Sequence, residues 1–238
     1  MTYLCDNKLA PLTFSCGFIE KPLDDVVKSF RSWQRLTMRN TKVNQLSGEL
    51  SQILIYLEPL DTEGRTTLFC ETKSKWTALF DNSISGANPE MVVSYLSKSL
   101  RVPGCVFVAI PNTITKSKIA RGGVWGCHAF RMYSPNSREQ LGLVRSITLQ
   151  NDVDGWSFNA IGEPFEFEDE SNYNHGKSVD RFSIEHLKKI GDGLGLRPFS
   201  QDFYGPKACS VFLDYFFRRK GSGISIAEAR NNLGIEQS

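Results

Sequence analysis

Three residues early in the chain have the types and spacing of a divalent-cation site. Asp61 lies upstream of Glu71-Thr72-Lys73. An acid followed by acid-x-Lys on a strand can hold a cation between the two carboxylates, with the lysine positioning the attacking water, as in a metal-dependent hydrolase of the nuclease type. A plainer reading covers the same residues: Asp61 suits a turn, and a solvent-facing strand edge with alternating charge accounts for Glu71 and Lys73. Catalysis through Asp61, Glu71 and Lys73 therefore stands as an alternative to a non-enzymatic role.

Other clusters of reactive residue types carry less. Cys127 and His128 are neighbours on an expected strand, so they point to opposite faces and cannot act together as nucleophile and base. Nothing in the sequence brings His175 or His186 to Cys127 or Cys105. The three histidines, His128, His175 and His186, match no zinc spacing, and no C-x-x-C accompanies them. Asp152-Val153-Asp154-Gly155 imitates the start of a calcium loop, but Trp156 occupies the next alternate position and cannot ligate, so the segment reads as a turn. Lys116, Lys118, Arg121, Gly122 and Gly123 form a basic glycine-bearing loop whose amides could cradle a phosphate; it contains neither G-K-[ST] nor G-x-G-x-x-G. Arg218-Arg219-Lys220-Gly221 reads as a strand end in solvent. These patterns predict no metal and no cofactor.

A run of acids offers a different chemistry. Glu166, Glu168, Asp169 and Glu170 lead into Asn172-Tyr173-Asn174-His175. Such a run is either solvated or docks a basic partner. Tyr173, Phe199, Phe203 and Tyr204 are aromatics in polar, loop-like surroundings. They could anchor an interface or pin the loops onto the core. The expected partner-binding residues are Glu168, Asp169, Glu170, Tyr173, Phe203 and Tyr204.

The elements that must carry these residues follow from periodicity. Strands are expected at Phe14–Ile19, Ser51–Leu60, Thr66–Thr72, Trp76–Phe80, Val106–Ile110, Val124–Tyr133, Leu143–Gln150, Trp156–Ile161, Phe165–Glu168 and Val211–Phe217. The second and third of these should pair as a hairpin across Asp61-Thr62-Glu63-Gly64, and Asp154-Gly155 should turn another. Helices are expected from Pro22 to about Leu36, with Val26, Val27, Phe30 and Trp33 inward, and from Asn88-Pro89 to Leu100, with Val92, Tyr95, Leu96 and Leu100 inward. Two more begin near Ser183, with Ile184, Leu187, Ile190 and Leu194 inward, and at the capping box Ser225-Ile226-Ala227-Glu228. Helices and strands do not alternate regularly. The expectation is one α+β domain over 1–238, a mixed and mostly antiparallel sheet with about four helices packed against it.

Composition narrows the function classes. Hydrophobic residues make up 40% of the 238 positions and the net charge is +2, so the chain is ordinary globular material without the basic excess that advertises nucleic-acid binding. The longest apolar run, Cys105 to Ile110, is stopped by Pro111 and is far too short to span a bilayer. The first residues show no basic region followed by an apolar stretch, so no secretory signal is expected. Six scattered cysteines read as reduced thiols, which gives a cytoplasmic expectation.

Two segments carry a resemblance: Thr67-Leu68-Phe69-Cys70-Glu71-Thr72-Lys73-Ser74-Lys75-Trp76-Thr77-Ala78-Leu79-Phe80-Asp81-Asn82 and Gly195-Leu196-Arg197-Pro198-Phe199-Ser200-Gln201-Asp202-Phe203-Tyr204-Gly205. Both resemble stretches of uncharacterised bacterial proteins, which implies a bacterial protein of the toxin-neutralising (immunity) kind and supplies no site residues. The leading expectation is an intracellular, non-enzymatic protein-interaction module. A binder of small phosphorylated ligands at Arg121-Gly122-Gly123 is a third reading, and the sequence leaves homo-oligomerisation open.

Overall fold

Nine strands pair into one antiparallel sheet in the computed structural model, which describes residues 4–5, 7–37, 40–62, 64–84, 88–114, 122–214 and 223–235. In chain order the strands are β1 (Ser15–Ile19), β2 (Asn40–Ser47), β3 (Thr66–Thr72), β4 (Thr77–Asp81), β5 (Gly104–Ile110), β6 (Cys127–Tyr133), β7 (Leu143–Asp152), β8 (Gly155–Ile161) and β9 (Tyr204–Asp214). Their spatial order is β2-β9-β3-β4-β1-β5-β6-β7-β8. The interior strand β5 is buried along almost its whole length, as its unbroken apolar run requires.

Each face of the sheet has its own core. On one face lie α1 (Leu23–Leu36) and α3 (Glu90–Leu100), packed on Phe69, Leu79, Val106 and Val211. The other face is covered by α2 (Leu50–Leu54), α4 (Ile184–Gly193), α5 (Ile226–Asn232) and much of the chain between β8 and β9, around Phe18, Phe80, Phe107 and Phe130. The architecture is α+β, with five α-helices among the described residues and the sheet dominant. No helix among them is long and apolar enough to cross a membrane.

The local signals place most elements. Both capping boxes, Ser183 with His186 and Ser225 with Glu228, open α4 and α5. The β7–β8 hairpin turns through Val153-Asp154, with Asp152 Oδ1 accepting from the Asp154 amide at 2.9 Å.

Several expectations are corrected. Ser51–Leu60 is not a strand. It forms α2 and a 3-10 turn over Ile55–Leu57, opened by a capping box between Glu49 and Gln52. Leu50, Ile53, Leu54 and Leu57 are buried at helical spacing, while Ile55 and Tyr56 face out. The expected hairpin is therefore absent, and β3 pairs instead with β4 and β9. Phe165–Glu168 is not a strand either. Glu168 turns back to accept from the Phe165 amide, and the Phe165 and Phe167 rings stack on each other at 5.1 Å. The inner face of α3 is shifted by one residue. Val93 is fully buried because Gly17 on β1 has no Cβ, which would stand 2.6 Å from the valine; Val92, Tyr95 and Leu100 lie at the edge of the contact.

The last strand begins at Tyr204 rather than Val211, with Pro206 tolerated near a bulge in the pairing with β3. The expected Tyr215–Phe217 portion lies outside the described residues. β2 is an element that the expected list lacks.

Candidate functional site

Asp61 and Glu71 do not converge. The Asp61 amide donates to the Asn82 carbonyl, whereas Glu71 pairs with Thr77. Thr77 and Asn82 are separated by the length of β4, roughly 17 Å at the usual rise per residue. Asp61 instead pairs with Arg65 at 3.5 Å, and Lys73 reaches Asp202 at 3.7 Å. Among the described residues no group of three or more His, Cys, Asp or Glu side chains could hold a metal ion.

The expected docking aromatics are interior. Phe203 and Tyr204 are buried against Phe18, and the Tyr204 hydroxyl donates to the Pro198 carbonyl at 3.0 Å. Tyr173 packs on Phe158 and Phe182, and its hydroxyl donates to Glu168 Oε1 at 2.8 Å. Glu168 is 1% exposed and clamps Arg145, itself 3% exposed, through two hydrogen bonds, one of them from Nε at 3.1 Å. Arg145, Glu168 and Tyr173 pin the segment after β8 onto the sheet, because the Tyr and Arg bodies bury more apolar surface inward than a loop position suggests. Of the acidic run, Asp169 and Glu170 remain near solvent, paired with Lys189 at 2.8 Å and Arg145 at 3.7 Å. The hydrogen bond and charge of Lys189, with Ser171, hold the Asp169 carboxyl well below its ordinary range.

Burial pushes the Cys127 thiol up to about 11 and the Cys70 thiol to about 12, which keeps both neutral. His186 belongs to its helix cap, and His175 lies 3.5 Å from Asp180. Burial lowers the His128 pKa from its ordinary value. Lys116, Lys118, Arg121 and the run Arg218–Gly221 lie outside the described residues, whereas Gly122 and Gly123 pack against the end of α5 and against Thr113-Ile114.

A cleft opens where the helix-covered part of the sheet ends. α3 packs mainly on β1, β5 and β6. On that face β7 and β8 present Gln150, Ser157, Asn159 and Ile161, all exposed and uncharged. At the border lies a cavity of about 720 Å³ between α3, β6, β7, the end of β8 and the loop after β6. Its volume falls within the usual range for ligand sites.

The floor of the cleft is polar and the flanks are apolar. Arg131 on β6 pairs with Glu90 at the start of α3 at 2.7 Å. Tyr133, two residues on and therefore on the same face, is 3% exposed. Its hydroxyl has no hydrogen-bond partner among the described residues. Burial, and next the Glu90 charge, push that phenol well above its ordinary pKa, so it stays a neutral donor and acceptor. Leu141 and Ile161, both more than half exposed, form apolar flanks. Glu139 and Glu163 sit at the rim without an ion-pair partner among the described residues.

A bulge shapes this site. Met132 pairs with Arg145 and Tyr133 with Leu143, so Val144 is an extra residue in β7. Opposite it, Gly162 has φ +87°, and a Cβ there would overlap the Val144 carbonyl oxygen. Arg145 Nη1 donates to the Gly162 carbonyl at 2.5 Å. The buried Arg145–Glu168 pair on one face thus fixes the bend that forms the cleft on the other.

One signal for this site was present in the sequence. Arg131 alternates with Ala129 and Tyr133, a charge where a helix-covered strand would be apolar throughout. Comparison with protein-family models, with curated proteins and with solved structures returns no match.

Proposed function

We propose that the chain is a non-enzymatic protein-interaction module whose docking surface is the open flank of the sheet, over β7, β8 and the cleft. One observation carries this reading: α3 packs mainly on β1, β5 and β6 and leaves Gln150, Ser157, Asn159 and Ile161 of β7 and β8 facing solvent beside a cleft of mixed polar and apolar lining. β8 adds an edge strand with no proline and no charge, the residue types that usually protect an edge from a second chain. The surface differs from the one expected around residues 168–204, whose aromatics are interior. The immunity-type form of the reading, neutralisation of a bound partner, rests on the resemblance of Thr67–Asn82 and Gly195–Gly205. Those two segments touch: the Lys73 amide donates to the Phe203 carbonyl at 2.8 Å.

The test is capture of a partner from the native cells by the tagged chain, compared with Ser157→Arg and Asn159→Arg. A protein captured at near-equal stoichiometry by the wild type and lost by both variants supports the reading. Retention by both variants overturns the choice of surface. A preparation without any partner overturns the interaction role.

A further inference from the structure

The cleft has a charge balance opposite to that of the whole chain. The chain carries a net +2, yet Glu90, Glu139 and Glu163 surround a single guanidinium, that of Arg131. Glu90 already neutralises Arg131 at 2.7 Å, and among the described residues neither rim carboxylate has an ion-pair partner. Tyr133, almost wholly buried, also lines the cavity, and its hydroxyl has no hydrogen-bond partner among the described residues. Leu141 and Ile161 supply apolar walls beside these polar groups.

We infer that this cleft receives a Lys or Arg side chain from an extended segment of the partner protein. The inference rests on the interaction reading above. A long cationic side chain matches the chemistry of the lining: its aliphatic stem packs on Leu141 and Ile161, and its head is offered the Glu139 and Glu163 carboxylates and the Tyr133 oxygen. A volume of about 720 Å³ also leaves room for the backbone that presents the side chain, more than a free small amine would fill. The approach is set by the sheet. Ile161 pairs with Ser146 and lies on the face of β8 that Arg131 and Tyr133 share on β6. A segment lying along Ser157, Asn159 and Ile161 therefore directs a side chain from its inner face into the cleft.

Three probes test this at low salt by isothermal titration: acetyl-Thr-Val-Lys-Val-Thr-amide, the same peptide with norleucine for lysine, and n-butylammonium. The lysine peptide is expected to bind at least tenfold tighter than either control. The double variant Glu139→Gln/Glu163→Gln, altered at two exposed positions and checked for an unchanged melting temperature, should weaken the lysine peptide at least tenfold. Tyr133→Phe should weaken it severalfold. Equal binding of the norleucine peptide overturns the cation assignment, and equal binding of n-butylammonium overturns the partner segment. An absence of saturable binding by all three overturns the site. The interaction role falls on a separate result, a wild-type chain that captures no partner.

Discussion

Replacing Glu168 by leucine removes the acceptor around which the segment after β8 is organised. The wild-type carboxylate receives two hydrogen bonds from Arg145, one from the Tyr173 hydroxyl and one from the Phe165 amide. With Glu168 gone, a guanidinium that is 3% exposed keeps only the Gly162 carbonyl and the more distant Glu170. Leaving a buried charge uncompensated costs about 3–5 kcal/mol. In a chain of this size that lowers the melting temperature by roughly 6–20 °C. The pair itself need not be net stabilising, because desolvation offsets much of its attraction. The double variant Arg145→Met/Glu168→Leu should therefore recover most of the loss. Urea and thermal denaturation of the two single variants and the double variant close the cycle. If Glu168→Leu costs less than about 1 kcal/mol, the value of a surface pair, the reasoning is refuted and Arg145 must be hydrated. An additive double variant would equally show that the two groups do not interact.

Three further measurements probe other parts of the fold. Gly162→Ala should lose at least about 1–3 kcal/mol from backbone strain alone, and more from the overlap with Val144; an unchanged melting temperature would mean that the bulge beneath the cleft is misplaced. Ile53→Ala should cost about 2–5 kcal/mol and Tyr56→Ala no more than about 0.5 kcal/mol; equal costs would restore an extended reading of residues 51–60. Desolvation pushes the Asp81 carboxyl up to about 6, so between about pH 4, where the unfolded chain releases this proton, and pH 6 the folded state binds the extra proton. Stability therefore falls as pH rises through that window, and Asp81→Asn should flatten the slope; an unchanged slope would show that another group sets it.

Short-range physics made much of the fold legible. The acids and proline at the start of α1, the capping boxes of α4 and α5, the Asp154-Gly155 turn and the apolar run of β5 all depend on residues within a few positions of one another. Where a local pattern fitted two structures, only long-range packing chose between them. Ile53-Leu54-Ile55-Tyr56-Leu57 suits a strand by composition, yet it forms helical turns, because Leu50, Ile53, Leu54 and Leu57 meet one core. Phe203 and Tyr204 look exposed in sequence and are buried because β1, far upstream, brings Phe18 against them. The acidic run divides in the same way: Glu168 turns inward because Arg145, on a strand 23 residues earlier, faces it, while Asp169 and Glu170 stay near solvent. The cleft was the least legible part. Glu90, Arg131, Tyr133, Glu139, Ile161 and Glu163 come from one helix, two strands and two connecting segments, and no periodicity links them. They share a site because β6, β7 and β8 pair as consecutive antiparallel neighbours and α3, which precedes β5 in the chain, packs beside them.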